Sequence, residues 1–358
     1  MREAGAILSR LRRLPRLRFG LALLVGALLP LQARSTPSEK DRLDGLNVVT
    51  LPDYPFGSIG AKDSLAGAKR LGAKAIAVVP FLSQPSPDSP DLQRADDMTY
   101  AELRAAIREA HAFGFAVLVK PHVVVPGHWA GAVAMGSEAD WESWFGSYRR
   151  ELAQIAAVAA DEHADALSIG TELEKTTQRP EWNDLIAALR TVFSGRLLYM
   201  AHNADEAEKV PFWKQLDAIG VTLYPKLGAD SDRDQRRKVM HAVADRLVAL
   251  AARIKKPVIV GEIGLRSAEG AAARPWESVT ERASPPDPEL QAAVLADWLT
   301  VLDRPAIAGI LIWCWLTNPD AGGLTDTDFT VQGKPTERML MCAWKHDCAD
   351  DQADLHSH

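Results

Sequence analysis

Apolar runs and amphipathic stretches alternate along this chain with a regularity that holds from residue 46 to residue 316. The apolar runs are Leu46–Leu51, Lys74–Pro80, Phe115–Lys120, Ala164–Gly170, Arg196–Met200, Ala218–Leu223, Pro257–Gly261 and Ile307–Leu316. Within them apolar residues are mostly consecutive, as in strands of a parallel sheet buried on both faces. Between them the spacing predicts helices over Asp63–Leu71, Thr99–Ala112, Trp141–Ala160, Glu181–Phe193, Asp205–Trp213, Asp232–Ile254 and Pro288–Leu302. Thr99, with Glu102 three residues on, is a capping box that opens the second of these. Phe81–Asp97 is rich in Pro, Ser and Asp and is expected to be loop. Arg266–Asp287 exceeds twenty residues, a length that marks a functional lid or cleft wall. Eight such runs with helices between them predict an α/β fold, a closed (β/α)8 TIM barrel forming one domain over residues 44–348.

In such a barrel the carboxyl ends of all strands share one face, and chemistry collects there. In strand order the residues at those ends are His122, Glu172, His202 with Asn203, Tyr224, Glu262, and Trp313 or Trp315. Glu172 follows the run in SIGTELE (Ser168–Glu174), and Glu262 follows the run in PVIVGEIG (Pro257–Gly264). Strands four and seven are not neighbours, so their carboxyl groups face each other across the barrel mouth. A separation of about 5–5.5 Å there is the spacing of retaining glycosidic cleavage. One glutamate then protonates the leaving oxygen, and the other attacks the anomeric carbon as a carboxylate. Tyr224 and Arg266 are the candidates to hydrogen-bond Glu262.

Each glutamate alone reads as a rim carboxylate paired with a neighbouring Lys or Arg, whereas both together favour catalysis. His122 and His202 read equally well as hydrogen-bonding rim residues. A metal-ligand role for them is disfavoured because no HxH or HxxxH pair accompanies them. Trp129 and Trp276, in the loops after strands three and seven, offer flat faces for sugar rings, while Trp141, Trp144 and Trp298 lie on helices and belong to the core or its shell. Glu174 reads as a solvated rim carboxylate. A non-catalytic barrel that binds glycan in the same cleft is the alternative from a different functional class.

An apolar content of 47% excludes disorder, and a formal charge of −6 with no basic patch in the body argues against nucleic acid as a partner. Residues 1–34 differ from the rest: six arginines precede Phe19–Leu31, an apolar run of 13. That is shorter than the roughly 20 residues a membrane span needs and suits a secretory leader. Arg12-Arg13 hints at twin-arginine export, although the residues after it match poorly. The chain is expected to be exported to the periplasm or beyond, with an uncleaved inner-membrane anchor as the alternative and residues 35–43 as a linker. Cys314 reads as core. Cys342 and Cys348 are spaced to close a small disulfide loop in an oxidising compartment, ahead of a tail at 349–358.

The two glutamate motifs resemble those of clan A glycoside hydrolases, and in detail the chain resembles glycoside hydrolase family 113, whose characterised members are β-1,4-mannanases. The pieces that carry the resemblance are KPHVVV (Lys120–Val125) with Trp129, IGTELE (Ile169–Glu174), VPFW with LDAIGVTLY (Val210–Tyr224), GEIGLRS (Gly261–Ser267), ARPW (Ala273–Trp276) and DTDFTVQGKP (Asp326–Pro335). They occur in order over nearly all of the chain after residue 45. The resemblance implies Glu172 as acid/base, Glu262 as nucleophile, a cleft lined by His122, Trp129, Asn203, Tyr224 and the strand-eight tryptophans, and a β-linked oligo- or polysaccharide, mannan first, as the partner; it implies no metal or organic cofactor. One departure stands out. Most of clan A carries Asn just before the acid/base, contacting the sugar 2-hydroxyl, and here the residue is Thr171. The axial 2-hydroxyl of a mannoside suits a different partner at that position.

Overall fold

The computed structural model describes residues 42–345. The leader, nearly all of the linker, the tail and any bond from Cys342 to Cys348 lie outside the described residues. Eight parallel strands close into a barrel: β1 (Gly45–Val49), β2 (Ala75–Val78), β3 (Ala116–Val119), β4 (Ala166–Thr171), β5 (Arg196–His202), β6 (Ile219–Leu223), β7 (Val258–Ile263) and β8 (Ile307–Leu316). Each pairs with its sequence neighbours, and β8 closes the ring on β1 with Gly45 opposite Leu311. The helices α1 (Ile59–Leu71), α2 (Tyr100–Ala112), α3 (Glu138–Asp161), α4 (Glu181–Val192), α5 (Asn203–Ala207), α6 (Arg233–Ile254), α7 (Pro288–Val301) and α8 (Pro335–Lys345) alternate with the strands.

Local chemistry accounts for the helix starts. Thr99 and Glu102 form the reciprocal capping box, Ser58 and Ser137 cap α1 and α3, and Asp287 caps α7 ahead of Pro288 at its first turn. The apolar runs bury on both faces. Outward side chains such as Ile76, Val117, Leu197, Val221 and Val260 pack under the helices. Ala75, Ala77, Leu118, Leu198, Met200, Ile259 and Leu311 fill the barrel. Full burial of each larger aliphatic side chain contributes about 1.5–3 kcal/mol. Met200 takes the centre because Gly220 and Gly261 face it, and a Cβ at either glycine would collide with its sulfur.

Three features depart from the pattern-based expectation. Phe81–Asp97 is not all loop: Phe81–Ser83 pairs antiparallel with Gln93–Arg94 and parallel with His122–Val124, a small sheet whose three members are too short to show a period. The helix expected over Asp205–Trp213 is only α5, followed by a single 3₁₀ turn at Trp213–Gln215. β5 and β7 run further than their apolar cores, so His202 and Glu262 lie inside strands rather than beyond them. Among the described residues no helix is long and apolar enough to cross a membrane.

Candidate active site

Both strands that carry the glutamates break register just before them. Against β5, β4 shifts between Ser168 and Thr171; against β6, β7 shifts between Val260 and Glu262. A bulge of this kind re-aims the side chains that follow it. Glu172 then adopts the left-handed region at φ 57°, its N–H donating to the Met200 carbonyl at 2.7 Å. For a non-glycine residue that conformation costs on the order of 1 kcal/mol, which the surrounding hydrogen bonds must outweigh.

The two carboxylates are held by different means. Glu262 pairs through Oε2 with the Lys120 ammonium, whose side chain is fully buried, and accepts from the Tyr224 hydroxyl on Oε1 at 2.7 Å. Lys120 lies 5.1 Å from the Trp313 ring centroid, so the ammonium is held between a carboxylate and an aromatic face. Burial and the Glu262 charge push the Tyr224 phenol well above its ordinary range, and it remains a donor.

Glu172 accepts from three side-chain donors. His202 Nδ1 approaches Oε1 at 3.0 Å, the Thr222 hydroxyl donates to Oε1 at 2.5 Å, and Trp129 Nε1–H donates to Oε2 at 2.7 Å. The His202 tautomer follows from its neighbours. The Tyr224 backbone N–H donates to Asn203 Oδ1 at 2.9 Å, which turns the Asn203 amide N–H toward His202 Nε2 at 2.8 Å. Nε2 therefore accepts, and Nδ1 carries the proton that faces Glu172. Burial lowers the His202 pKa, Glu172 beside it raises it by more, and the net direction is up. Burial alone would raise Glu172, but His202 first, and Thr222 with it, hold the carboxyl well below the usual carboxylate range.

Glu172 and Glu262 open into one cleft of about 950 Å³, at the large end for an organic ligand. Trp129, His202, Asn203, Tyr224, Trp276 and Trp313 line it with them. Trp276 is 45% exposed at the rim, with the Lys226 ammonium 5.7 Å from its ring. Four residues expected at the site do not line the cleft. Trp315 turns outward, and its indole N–H donates to Ser64 Oγ on α1 at 2.7 Å, because it follows Trp313 by two in a strand whose local geometry shifts at that point. Thr171 is buried and donates its hydroxyl to the Pro121 carbonyl at 2.9 Å, so it offers nothing to a sugar. Arg266 is not a partner of Glu262: it is fully buried and donates to the carbonyls of Thr327, Ser278 and Arg282, tying the long loop after β7 to the one after β8. His122 packs edge-on to Phe81 at 6.1 Å with Nδ1 buried and unpartnered, and burial, outweighing Glu172 and Glu262, lowers its pKa.

Lys120 and Thr222 were not singled out by sequence reasoning. Each had a signal: a lone ammonium closing an apolar strand, and a hydroxyl two residues before Tyr224 in another. Glu174 lies at a partly exposed position 3.5 Å from the Lys209 ammonium. Trp144 and Trp298 are buried under the helices. Among the described residues no group of three or more His, Cys, Asp or Glu side chains converges as a metal site.

The sequence profile of Glycoside Hydrolase Family 113 matches residues 54–334. Among solved structures, the chain is similar to the GH113 β-mannanase of Alicyclobacillus acidocaldarius in complex with ManMIm, at 23% identity and TM-score 0.76, over 85% of this chain and 97% of that one. It is also similar to a GH113 β-1,4-mannanase at 23% identity and TM-score 0.75, over 86% of this chain and 100% of that one. A β-glucuronidase from Ruminococcus gnavus shares the fold at 14% identity and TM-score 0.58, over 85% of this chain and 50% of that one. No curated protein matches. At these identities the solved structures speak for the barrel alone. The profile spans most of the chain, and the protein belongs to glycoside hydrolase family 113.

Proposed function

We propose that this family member is an exported retaining glycosidase that cleaves β-1,4-mannosidic bonds in mannan or manno-oligosaccharides, with Glu262 as nucleophile and Glu172 as acid/base. The observation that carries the reading is the meeting of two differently held carboxylates in one cleft. Glu262 faces a buried ammonium and a phenol, and Glu172 faces an imidazole, a hydroxyl and an indole N–H. A carboxylate paired with a fixed cation keeps its lone pairs for attack and is a good leaving group from an ester. Glu172, with no Lys or Arg at its oxygens, is the carboxyl we assign to proton exchange.

In the first step a Glu262 oxygen bonds to the anomeric carbon while the glycosidic C–O bond breaks, and the proton on Glu172 passes to the departing oxygen. In the second step Glu172 takes a proton from water as the water attacks the same carbon. The glycosyl ester breaks and Glu262 recovers its charge. The anomeric configuration is retained. Mannan is favoured as substrate because the two family-113 structures of similar fold are β-mannanases. Export rests on the basic, then apolar, N-terminal segment.

Reducing-end release from β-mannan, glucomannan, xylan and β-glucan by the full-length protein tests the substrate, beside Glu172→Gln and Glu262→Gln. Release from mannan, with retained configuration by NMR and loss in both variants, is the expected result. Glycan binding without release from any polymer would replace this reading with the binding barrel. Fractionation of expressing cells and N-terminal sequencing of the product tests export, and an intact, cytoplasmic chain would refute it.

A further inference from the structure

The donors around Glu172 divide unequally between its two oxygens. Oε1 accepts from both His202 Nδ1–H and the Thr222 hydroxyl, so its lone pairs are filled. Oε2 accepts only from Trp129 Nε1–H, at 2.7 Å. Oε2 is therefore the oxygen with room for a proton, and Trp129 occupies it.

The three donors also differ in how firmly they are held. Thr222 is fully buried in β6, and His202 is fixed on β5 by Asn203 through its ring and by Glu206 through its backbone N–H. Trp129 stands in a surface loop, 41% exposed, between Gly127 and Gly131. Its ring covers Gly131, where any Cβ would collide with it. On one side of Trp129 lies the main cleft, and on the other a second groove of about 460 Å³. Of the three donors it alone stands outside the barrel strands, with its ring 4.8 Å from that of His202.

Retaining hydrolysis needs Glu172 first as an acid and then as a base. His202 and Thr222 hold the group as a carboxylate, the form of the second step, and the Trp129 N–H takes the remaining oxygen. The first step needs a proton on Oε2.

We propose that Trp129 controls the protonation of Glu172: its indole N–H occupies Oε2 in the empty cleft and is displaced as the sugar on the leaving-group side enters. The proposal rests on the retaining reading above. Once Oε2 is released, the carboxylate takes a proton from solvent and delivers it to the glycosidic oxygen as Glu262 bonds to the anomeric carbon and the C–O bond breaks. Trp129 is a positioning residue acting through Glu172. The other titratable groups that face Glu172 are His202, His122, Tyr224, Glu206 and the Lys120–Glu262 pair, and none of these bonds Oε2.

Trp129→Phe keeps a flat ring for stacking and removes the N–H. In the ligand-free variant the Glu172 carboxyl, followed by ¹³C NMR, is expected to titrate higher by about one pH unit, the loss of one hydrogen bond to a charged group. The alkaline limb of kcat/KM reports the free enzyme and that of kcat the complex. In the parent the kcat limb should lie above the kcat/KM limb. In the variant the kcat/KM limb rises by the same unit while the kcat limb stays. Thr222→Val, which removes a donor that is not displaced, should raise both limbs together. A Trp129→Phe protein with lowered activity, but with the carboxyl titration and both limbs unmoved, would reduce Trp129 to a stacking surface and overturn the proposal. The titration needs no turnover, so absence of mannan cleavage by the parent would refute the mannanase reading separately.

Discussion

Glu206 is a buried carboxylate that the proposed chemistry does not use, and its stability signature can be worked out. It lies on α5 at 1% exposure, with Oε1 accepting from the Tyr199 hydroxyl and Oε2 from the His202 backbone N–H, both at 2.6 Å. The Tyr199 oxygen in turn accepts the Leu173 N–H at 2.9 Å. One carboxylate thus ties the residue after Glu172 to the residue that bonds Glu172. Burial is the main influence on Glu206. The Tyr199 and His202 donors oppose it, the charges of Glu172 and Glu174 reinforce it, and the balance pushes its pKa up from 4.5 to about 7. A group that holds its proton more tightly in the folded chain stabilises fully below the unfolded pKa and loses that stabilisation as pH rises through the folded one. The loss therefore runs from about pH 4.5 to above pH 7, and a rise of this size is worth about 3 kcal/mol. Glu206→Gln abolishes the titration. The amide oxygen still accepts from His202, while its NH₂ must face Tyr199, a mismatch that costs about 1 kcal/mol. The variant should be less stable than the parent by about 1 kcal/mol near pH 3.5, nearly equal to it near pH 5 and more stable by about 2 kcal/mol at pH 8. Urea unfolding followed by tryptophan fluorescence across that range measures the difference. A gap that keeps one sign and one size from pH 5 to 8 would mean that Glu206 is ionised throughout, and would refute the reasoning.

Lys120→Met should destabilise the fold by about 3–5 kcal/mol, since it leaves Glu262 buried without its cation. Calorimetry reads that loss, and a Tm unchanged from the parent would show that the pair carries no net charge interaction. Tyr224→Phe keeps the ring beside Phe329, whose centroid is 6.2 Å away, and removes one donor from Glu262. On the proposed mechanism kcat should fall by about one to two orders of magnitude with little change in stability, and parent-like kcat would exclude the phenol from the reaction. Arg266→Met leaves the carbonyls of Ser278, Arg282 and Thr327 without their shared donor. Hydrogen exchange should accelerate over residues 266–287 and 326–329 while the barrel strands stay protected, and uniform protection would refute the tie between the loops.

The barrel was legible because its cause is local. Eight runs of consecutive apolar residues, with helical periods between them and a capping box at Thr99, have few ways to bury both faces of every strand, and a closed parallel barrel is the simplest. Strand topology then brings Glu172 and Glu262 to one rim, since the carboxyl ends of all strands share a face whatever their separation in sequence. Trp129, His202, Asn203, Tyr224 and Trp313 reach the cleft for the same reason. What the pattern leaves open is the direction of individual side chains. Trp313 and Trp315 are indistinguishable in the sequence, and a register shift between Asn47 and Val48 against β8 accompanies the turning of Trp315 to Ser64. Arg266 follows Glu262 closely but bonds within its own long loop and to the loop after β8, and Thr171 precedes Glu172 but bonds to Pro121. Lys120 comes to Glu262 across 142 positions, and Trp129 to Glu172 across 43. Such partners depend on bulges, left-handed residues and loop packing, which are settled only when every strand has its neighbours. Sequence periodicity determines which faces are buried; the closed barrel decides which polar atoms meet.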